Sequence, residues 1–252
     1  MRPIMLSALA VVLLLQPAAR TQTQDEAKAI IGKAIKAMGL DKDVEGTVGF
    51  RTKAKGTIEI MGMNINFTQT VLIRMPDQFK DALELDINNM KIPVNTVYDG
   101  KKGWVAANGK IVKLDDKVTA ELKEVGNLIK IARLKPLLDK KNNYELAVIG
   151  DVKVEDKEAV GIRVSSKGAK DLSLFFDKKT GVLSKMERQA LDAMTGQEVQ
   201  EERIIRSYKD KDGQKVPHEV VVMRDGKKFL EAEILEYTLL QNVDPSEFDM
   251  PK

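Results

Sequence analysis

The residue types that most often do chemistry are scarce in this chain, which has one histidine and no cysteine. His218 is followed by Glu219, so a His-Glu start is present, but position 222 is valine where a zinc helix needs its second histidine. Two ligands on one helical face are what that motif supplies, and without the second the site does not form. A Ser-His-Asp site would have to use the same His218, and no G-x-S-x-G turn raises a serine; thiol catalysis is impossible without cysteine. His218 therefore reads as a partly exposed strand residue.

Asp41-x-Asp43-x-Glu45-Gly46 has the opening spacing of a calcium loop, with glycine sixth. The twelfth position is Thr52 instead of a bidentate glutamate, and strand-like sequence follows, so the segment reads as an acidic connector. No G-x-G-x-x-G or P-loop supports a nucleotide cofactor. Carboxylates are plentiful, but nothing singles out a pair for glycoside hydrolysis, and Trp104 is the only indole for a sugar platform. Asn66-Phe67-Thr68 is formally a glycosylation sequon, relevant only on a eukaryotic secretory route. The chain is thus expected to be no enzyme, with no cofactor and no metal.

Charge points the same way. The chain carries 41 Lys+Arg against 38 Asp+Glu, a net of +3, and the two signs are interleaved, as in Lys153-Val154-Glu155-Asp156-Lys157-Glu158. A nucleic-acid partner needs basic residues clustered on one face, so none is expected.

At the amino terminus Arg2 precedes an apolar run from Ile4 to Leu15, then Pro17-Ala18-Ala19. The run is shorter than the roughly 20 residues of a transmembrane helix and fits the core of a secretory signal. Residues 1–19 are expected to be a signal peptide and residues 20–252 a single domain. No lipidation cysteine follows, so a soluble exported protein is expected, its stability resting on an apolar core.

Beyond the leader, Thr23-x-x-Glu26 has the spacing of a capping box. Apolar residues at 27, 30, 31, 34, 35 and 38 predict an amphipathic helix ending at Gly39. From Val44 the period becomes two. Between Asn64 and Met75, Ile65, Phe67, Val71 and Ile73 alternate with Asn66, Thr68 and Thr70, which predicts one buried and one wet face. Turn signals at Asp99-Gly100, Asn108-Gly109, Asp177 to Gly181, Asp210 to Gly213 and Asp225-Gly226 separate such runs. The count is ten or eleven strands in hairpins, hence antiparallel. One helical segment, Asp115 to Lys141, interrupts them, with Pro136 kinking or ending it.

Three local phrases carry a resemblance. They are Val97-Tyr98-Asp99-Gly100-Lys101-Lys102-Gly103-Trp104, Leu174-Phe175-Phe176-Asp177-Lys178-Lys179-Thr180-Gly181, and the ending from Val243-Asp244-Pro245 to Met250-Pro251. With the order of elements, they resemble the outer-membrane lipoprotein-sorting proteins, the LolA/LolB-like group, in a divergent planctomycete-type form. The resemblance implies an α+β fold: a strongly curved antiparallel open half-barrel whose concave apolar face is covered by the N-terminal helix and the inserted helix. It also implies a periplasmic carrier of lipid or lipoprotein acyl chains, with envelope membrane proteins as further partners. Such carriers use an arginine near the cavity in cargo exchange, and no arginine of this chain is matched to it.

Two helices are few for so many strands, so part of the apolar face is available to a guest. Candidate lining residues are Ile58, Ile60, Ile65, Phe67 and Val71, continued by Ile73, Leu83, Leu85 and Trp104, the last at the mouth. Met61, Met63 and Met75 are adaptable neighbours. The plain alternative is that these residues pack under the helices. The competing function is a non-catalytic envelope scaffold or sensor using the sheet surface, and a third class is a carboxylate hydrolase.

Overall fold

The computed structural model describes residues 16–42, 44–193 and 195–250, with side chains of the first helix described from Thr23 onward. The leader core, residues 4–15, and Asp43 of the acidic connector lie outside the described residues.

Helix α1 spans Gln16–Ala37. It begins before Thr23, so the capping-box expectation is corrected: Pro17 suits a first helical turn and Ala18, Ala19 and Arg20 favour helix, which carries the element past the threonine. The far end is as expected. Gly39 is left-handed (φ 67°), Leu40 N–H donates to Ile35 O (2.8 Å) and Gly39 N–H to Lys36 O (3.0 Å), the paired bonds of a Schellman ending. A Cβ on Gly39 would stand 2.0 Å from Gly213 O, so only glycine fits there.

Thirteen strands follow: β1 (Gly49–Ile60), β2 (Met63–Arg74), β3 (Gln78–Ile87), β4 (Met90–Tyr98), β5 (Gly103–Ala107), β6 (Lys110–Val112), β7 (Glu145–Val154), β8 (Lys157–Ser165), β9 (Leu172–Asp177), β10 (Leu183–Leu191), β11 (Glu198–Lys211), β12 (Gln214–Arg224) and β13 (Lys227–Leu240). The excess over the expected count comes from pieces such as the three-residue β6, too short to show a period of two. Two-residue turns join many of them through left-handed residues, as at Asn108-Gly109 (φ 48° and 75°) and Asp225-Gly226 (φ 46° and 75°), which match the twist of hairpin strands.

All thirteen strands form one unclosed, antiparallel, curved sheet in the order β6-β5-β4-β3-β2-β1-β13-β12-β11-β10-β9-β8-β7. Two hairpin series meet where β1 pairs with β13, and the chain passes from one edge strand, β6, to the other, β7, through helices α2 (Asp116–Ala132) and α3 (Lys135–Leu138). Asp115 caps α2 by accepting from Val118 N–H at 2.8 Å. The break between α2 and α3 falls at Leu134, in the left-handed half of backbone space (φ 60°) with its side chain fully buried, and Pro136 lies in the first turn of α3. Edge strand β7 is covered by α1: Gln24 Oε1 accepts from Leu146 N–H (3.0 Å).

Register fixes the two faces of the sheet. One continuous row runs Ile162, Leu174, Met186, Arg203, Val222, Leu230, Ile58, Ile65 across eight strands, and these residues share the inner face, on which α1 and α2 lie. Under α1, Ala27, Ile31, Ala34 and Ile35 join Leu146, Ile162, Leu174 and Phe176 in the largest cluster. Burying a side chain the size of Ile31 contributes about 1.5–3 kcal/mol. Under α2, Leu122, Val125 and Ile129 pack on Ile73, Phe79 and Tyr98.

Candidate functional site

A third inner-face cluster has no helix in it. Ile58, Ile65, Phe67 and Leu85 form its buried centre, with Ile60, Leu83, Ile87, Ile92, Val94, Phe229, Leu230 and Ala232 around them, all from β1 to β4 and β13. Alternation with a period of two explains the arrangement: Ile65 and Phe67 face inward, while Asn64, Asn66 and Thr68 are exposed. The structure therefore brings together six of the nine candidate lining residues, Ile58, Ile60, Ile65, Phe67, Leu83 and Leu85. Val71 and Ile73 lie on the same face but one cluster along, under α2.

Trp104 is elsewhere. The register row Leu72, Lys80, Val97, Trp104 is one residue out of phase with Ile73, Phe79, Tyr98, Gly103, so Trp104 belongs to the outer face. There it packs with Leu72, Val97, Val243 and Phe248, and its Nε1–H donates to Phe248 O (3.2 Å). The placement at a cavity mouth is thus corrected. The chain ending at Val243 to Phe248 straps the outer face and takes the tryptophan with it.

The alternation along β2 and β3 skips two inward positions that sequence reasoning missed. In Ile65-x-Phe67-x-Gln69-x-Val71-x-Ile73 the middle residue is polar, and in Phe79-x-Asp81-x-Leu83-x-Leu85 the second is acidic. A polar residue in the apolar phase of a strand is the signal that could have found them. Gln69 Nε2 donates to both oxygens of Asp81, at 2.9 and 2.8 Å. Burial pushes the Asp81 carboxyl up to about 6, against the hydrogen bonds from Gln69 and the charge of Arg203.

Arg203 lies on β11, five strand spacings from Asp81 on β3. A flat sheet would hold those strands about 24 Å apart. The sheet is curved, and the two charges favour each other's ionised form. Protein surrounds the Arg203 guanidinium closely, while the residue as a whole is half-buried. Burial lowers its pKa. Its Nε is shielded and finds no acceptor.

Beside it sits a network of ion pairs. Glu201, 5% exposed, accepts from Arg188 Nε (3.2 Å) with one oxygen and from Arg224 Nη2 (3.1 Å) with the other. Arg188 reaches Glu121 on α2 at 2.7 Å, Arg224 reaches Asp192 at 3.3 Å, and Arg224 stacks over the Phe229 ring at 3.6 Å from its centroid. Burial alone would raise the Glu201 carboxyl, but the charges of Arg203, Arg188 and Arg224 outweigh it and hold the carboxyl below its ordinary value.

The remaining candidates do not assemble into a site. His218 is half-buried in β12, its Nδ1 3.1 Å from Ile234 O and its Nε2 3.7 Å from Glu233. Among the described residues no three His, Cys, Asp or Glu side chains are grouped to hold a metal ion, and no helix is long and apolar enough to cross a membrane. A groove of about 540 Å³ is lined by Phe67, Val220, Val221 and Ala232 together with the charged residues Lys55, Arg206, Glu219, Glu231 and Glu233.

No protein-family model matches the sequence, and no curated protein matches it. Solved structures do match the fold. A LolA superfamily protein from Nitrosomonas europaea superposes with a TM-score of 0.54 at 10% identity, over 89% of this chain and 97% of that one. A domain named for outer membrane lipoprotein sorting, from Vibrio parahaemolyticus, gives 0.52 at 10% identity over 90% and 97%. A DUF1329 family protein from Desulfovibrio piger gives 0.51 at 15% identity over 88% and 97%. At these identities the likeness establishes the fold: the chain is a LolA-like open half-barrel.

Proposed function

We propose that this LolA-like chain is an exported, non-catalytic carrier that holds acyl chains of lipid or lipoprotein against the inner face of its sheet in the periplasm. One observation carries the reading: the cluster centred on Ile58, Ile65, Phe67 and Leu85 draws on strands alone, while α1 and α2 cover other sections of the same face. An apolar sheet section without a helical cover is suited to a flexible apolar guest, whose burial supplies roughly 25 cal/mol per Å² of apolar surface removed from water. The Vibrio domain, named for lipoprotein sorting, adds a precedent for the function on this fold. Residues 1–19 are read as the signal peptide, with the mature chain beginning near Arg20 as a single domain.

The test is direct. Protein purified from a periplasmic extract is subjected to organic extraction and mass spectrometry, and the stripped protein is titrated with a fluorescent acyl probe. Co-purifying acyl lipid and saturable probe binding are expected. Absence of both would overturn the carrier reading.

A further inference from the structure

We propose that Arg203 anchors the carboxylate of a single-chain amphiphile whose hydrocarbon lies across Val222 and Leu230 to Ile58 and Phe67. The proposal rests on the acyl-carrier reading above and specifies the head group that the hollow accepts.

The register supplies the geometry. Arg203 occupies one position in a row of eight inward-facing residues whose other seven are apolar, from Ile162 to Ile65. A guanidinium in such a row loses its hydration and needs an acceptor in exchange, since a buried donor left unmade carries its full desolvation penalty, larger for a charged one. Its neighbours Arg188 and Arg224 have such acceptors in Glu201, Glu121 and Asp192. Arg203 Nε finds no hydrogen-bond acceptor, its charge is offset without direct contact by Glu201 and then Asp81, and Asp81 is turned to Gln69 through both oxygens. The guanidinium is a planar fork of N–H donors, and a carboxylate is the group that matches such a fork in two parallel bonds.

The apolar side of the site has the matching position. Three strand spacings, about 14 Å, separate Arg203 from Ile58, where the helix-free cluster begins. A chain leaving the anchor along the row passes Val222 and Leu230 before reaching it.

Charge sets a condition on binding. Of the groups facing the hollow, Arg188, Arg203 and Arg224 share Glu201, Arg188 also reaches Glu121 on α2 and Arg224 reaches Asp192, and Asp81 is the further carboxylate whose charge acts on Arg203. A second anion at Arg203 competes with ionised Asp81 and is favoured when Asp81 takes up a proton. With the Asp81 carboxyl pushed up to about 6, that proton is available in mild acid, so carboxylate binding tightens as pH falls toward that value.

The experiment measures displacement of a neutral-headed fluorescent acyl probe by dodecanoate and by its uncharged monoglyceride, at about pH 8 and about pH 5.5, where the free carboxylic acid, with an ordinary pKa near 4 to 5, is still mostly ionised. Wild type should bind dodecanoate more tightly at the lower pH and the monoglyceride equally at both. Arg203→Gln should weaken dodecanoate about tenfold or more, the scale of a charge-assisted pair, and leave the monoglyceride within about twofold. Asp81→Asn should bind dodecanoate at about pH 8 as tightly as wild type does in mild acid. The double variant D81N/R203Q removes both charges together, so it folds without an unpaired buried ion and should bind both ligands alike. If Arg203→Gln or the folded double variant discriminates the two ligands as wild type does, or if Asp81→Asn weakens dodecanoate, the anchor is overturned while monoglyceride binding leaves the carrier reading standing. If neither ligand displaces the probe from wild type, both fall together.

Discussion

Leu122 of α2 fills the place that a side chain on Gly103 of β5 would need: a Cβ there would lie 2.2 Å from Leu122 Cδ1 and 2.9 Å from Val97 O. The helix that links the two sheet edges is thus seated by a missing side chain. Gly103→Ala should lower unfolding free energy by about 1–3 kcal/mol, the usual cost of overpacking. Leu122→Ala should cost about 2–5 kcal/mol alone, and the double variant less than the sum, because the shortened leucine vacates the contested space. Additive losses in a denaturant-unfolding cycle would refute the seating contact.

Asp81 should make the protein less stable as it ionises. Its folded pKa of about 6 exceeds the ordinary 3.8, so between those values the folded chain binds more protons than the unfolded one and stability falls as pH rises through that window. Asp81→Asn, which still accepts from Gln69, should match wild type near pH 4 and melt higher at neutral pH. Parallel melting curves for the two proteins across that window would count against the buried placement of the carboxyl.

Glu201 has the opposite sign. Its carboxyl is held below the ordinary 4.5, so its contribution is present above that value and is lost as pH falls through the lowered pKa. At neutral pH, Glu201→Gln leaves Arg188, Arg203 and Arg224 without their shared counter-charge and should cost about 3–5 kcal/mol, as breaking a buried pair does. Urea unfolding measures it, and a loss under about 1 kcal/mol would mean that water already screens the cluster.

These charges mark the limit of what the sequence discloses. Alternation made the inward set on β2 legible, because a period of two assigns each residue to a face without reference to its neighbours. The stripe Ile31, Ala34, Ile35 and the left-handed Gly39 were equally local. Trp104 was not, because its face depends on a register counted through β2, β3 and β4. Arg203 and Asp81 were hidden more deeply, since they lie on strands far apart in the sheet order and their charges act on each other only in the folded sheet, which no local pattern encodes. The six-residue apolar group centred on Phe67 was legible because alternation shows which residues point inward, whereas what covers them depends on where two helices come to rest.

Phe67 and Ile73, two buried inward residues of one strand, should differ in their effect on probe affinity. Ile73 is 1% exposed and lies beneath Leu122 and Ile129, so Ile73→Ala should cost about 2–5 kcal/mol of stability with little change in acyl-probe affinity. Phe67 is 3% exposed in the helix-free cluster, and Phe67→Ala should cost about 3–5 kcal/mol of stability and in addition weaken the probe by at least about fivefold, the effect of roughly 1 kcal/mol of lost apolar contact. Equal effects of the two variants on probe affinity would mean that the guest does not distinguish the covered section from the uncovered one.

Trp104 should be blind to the guest. It is the only tryptophan in the chain, so intrinsic emission reports its surroundings alone. Those surroundings are the outer-face residues Leu72, Val97, Val243 and Phe248, with the indole N–H bound to Phe248 O, while the guest is proposed to lie on the inner face among Ile58, Phe67 and Leu85. Saturation with an unlabelled acyl ligand should therefore leave the emission maximum in place. Removing the chain after Gln241 strips Val243 and Phe248 from the indole and should shift its emission to the red. The pair of measurements assigns the face by itself: a ligand-induced shift in the intact protein, comparable to that caused by truncation, would put the guest against the outer face and overturn the inner-face assignment.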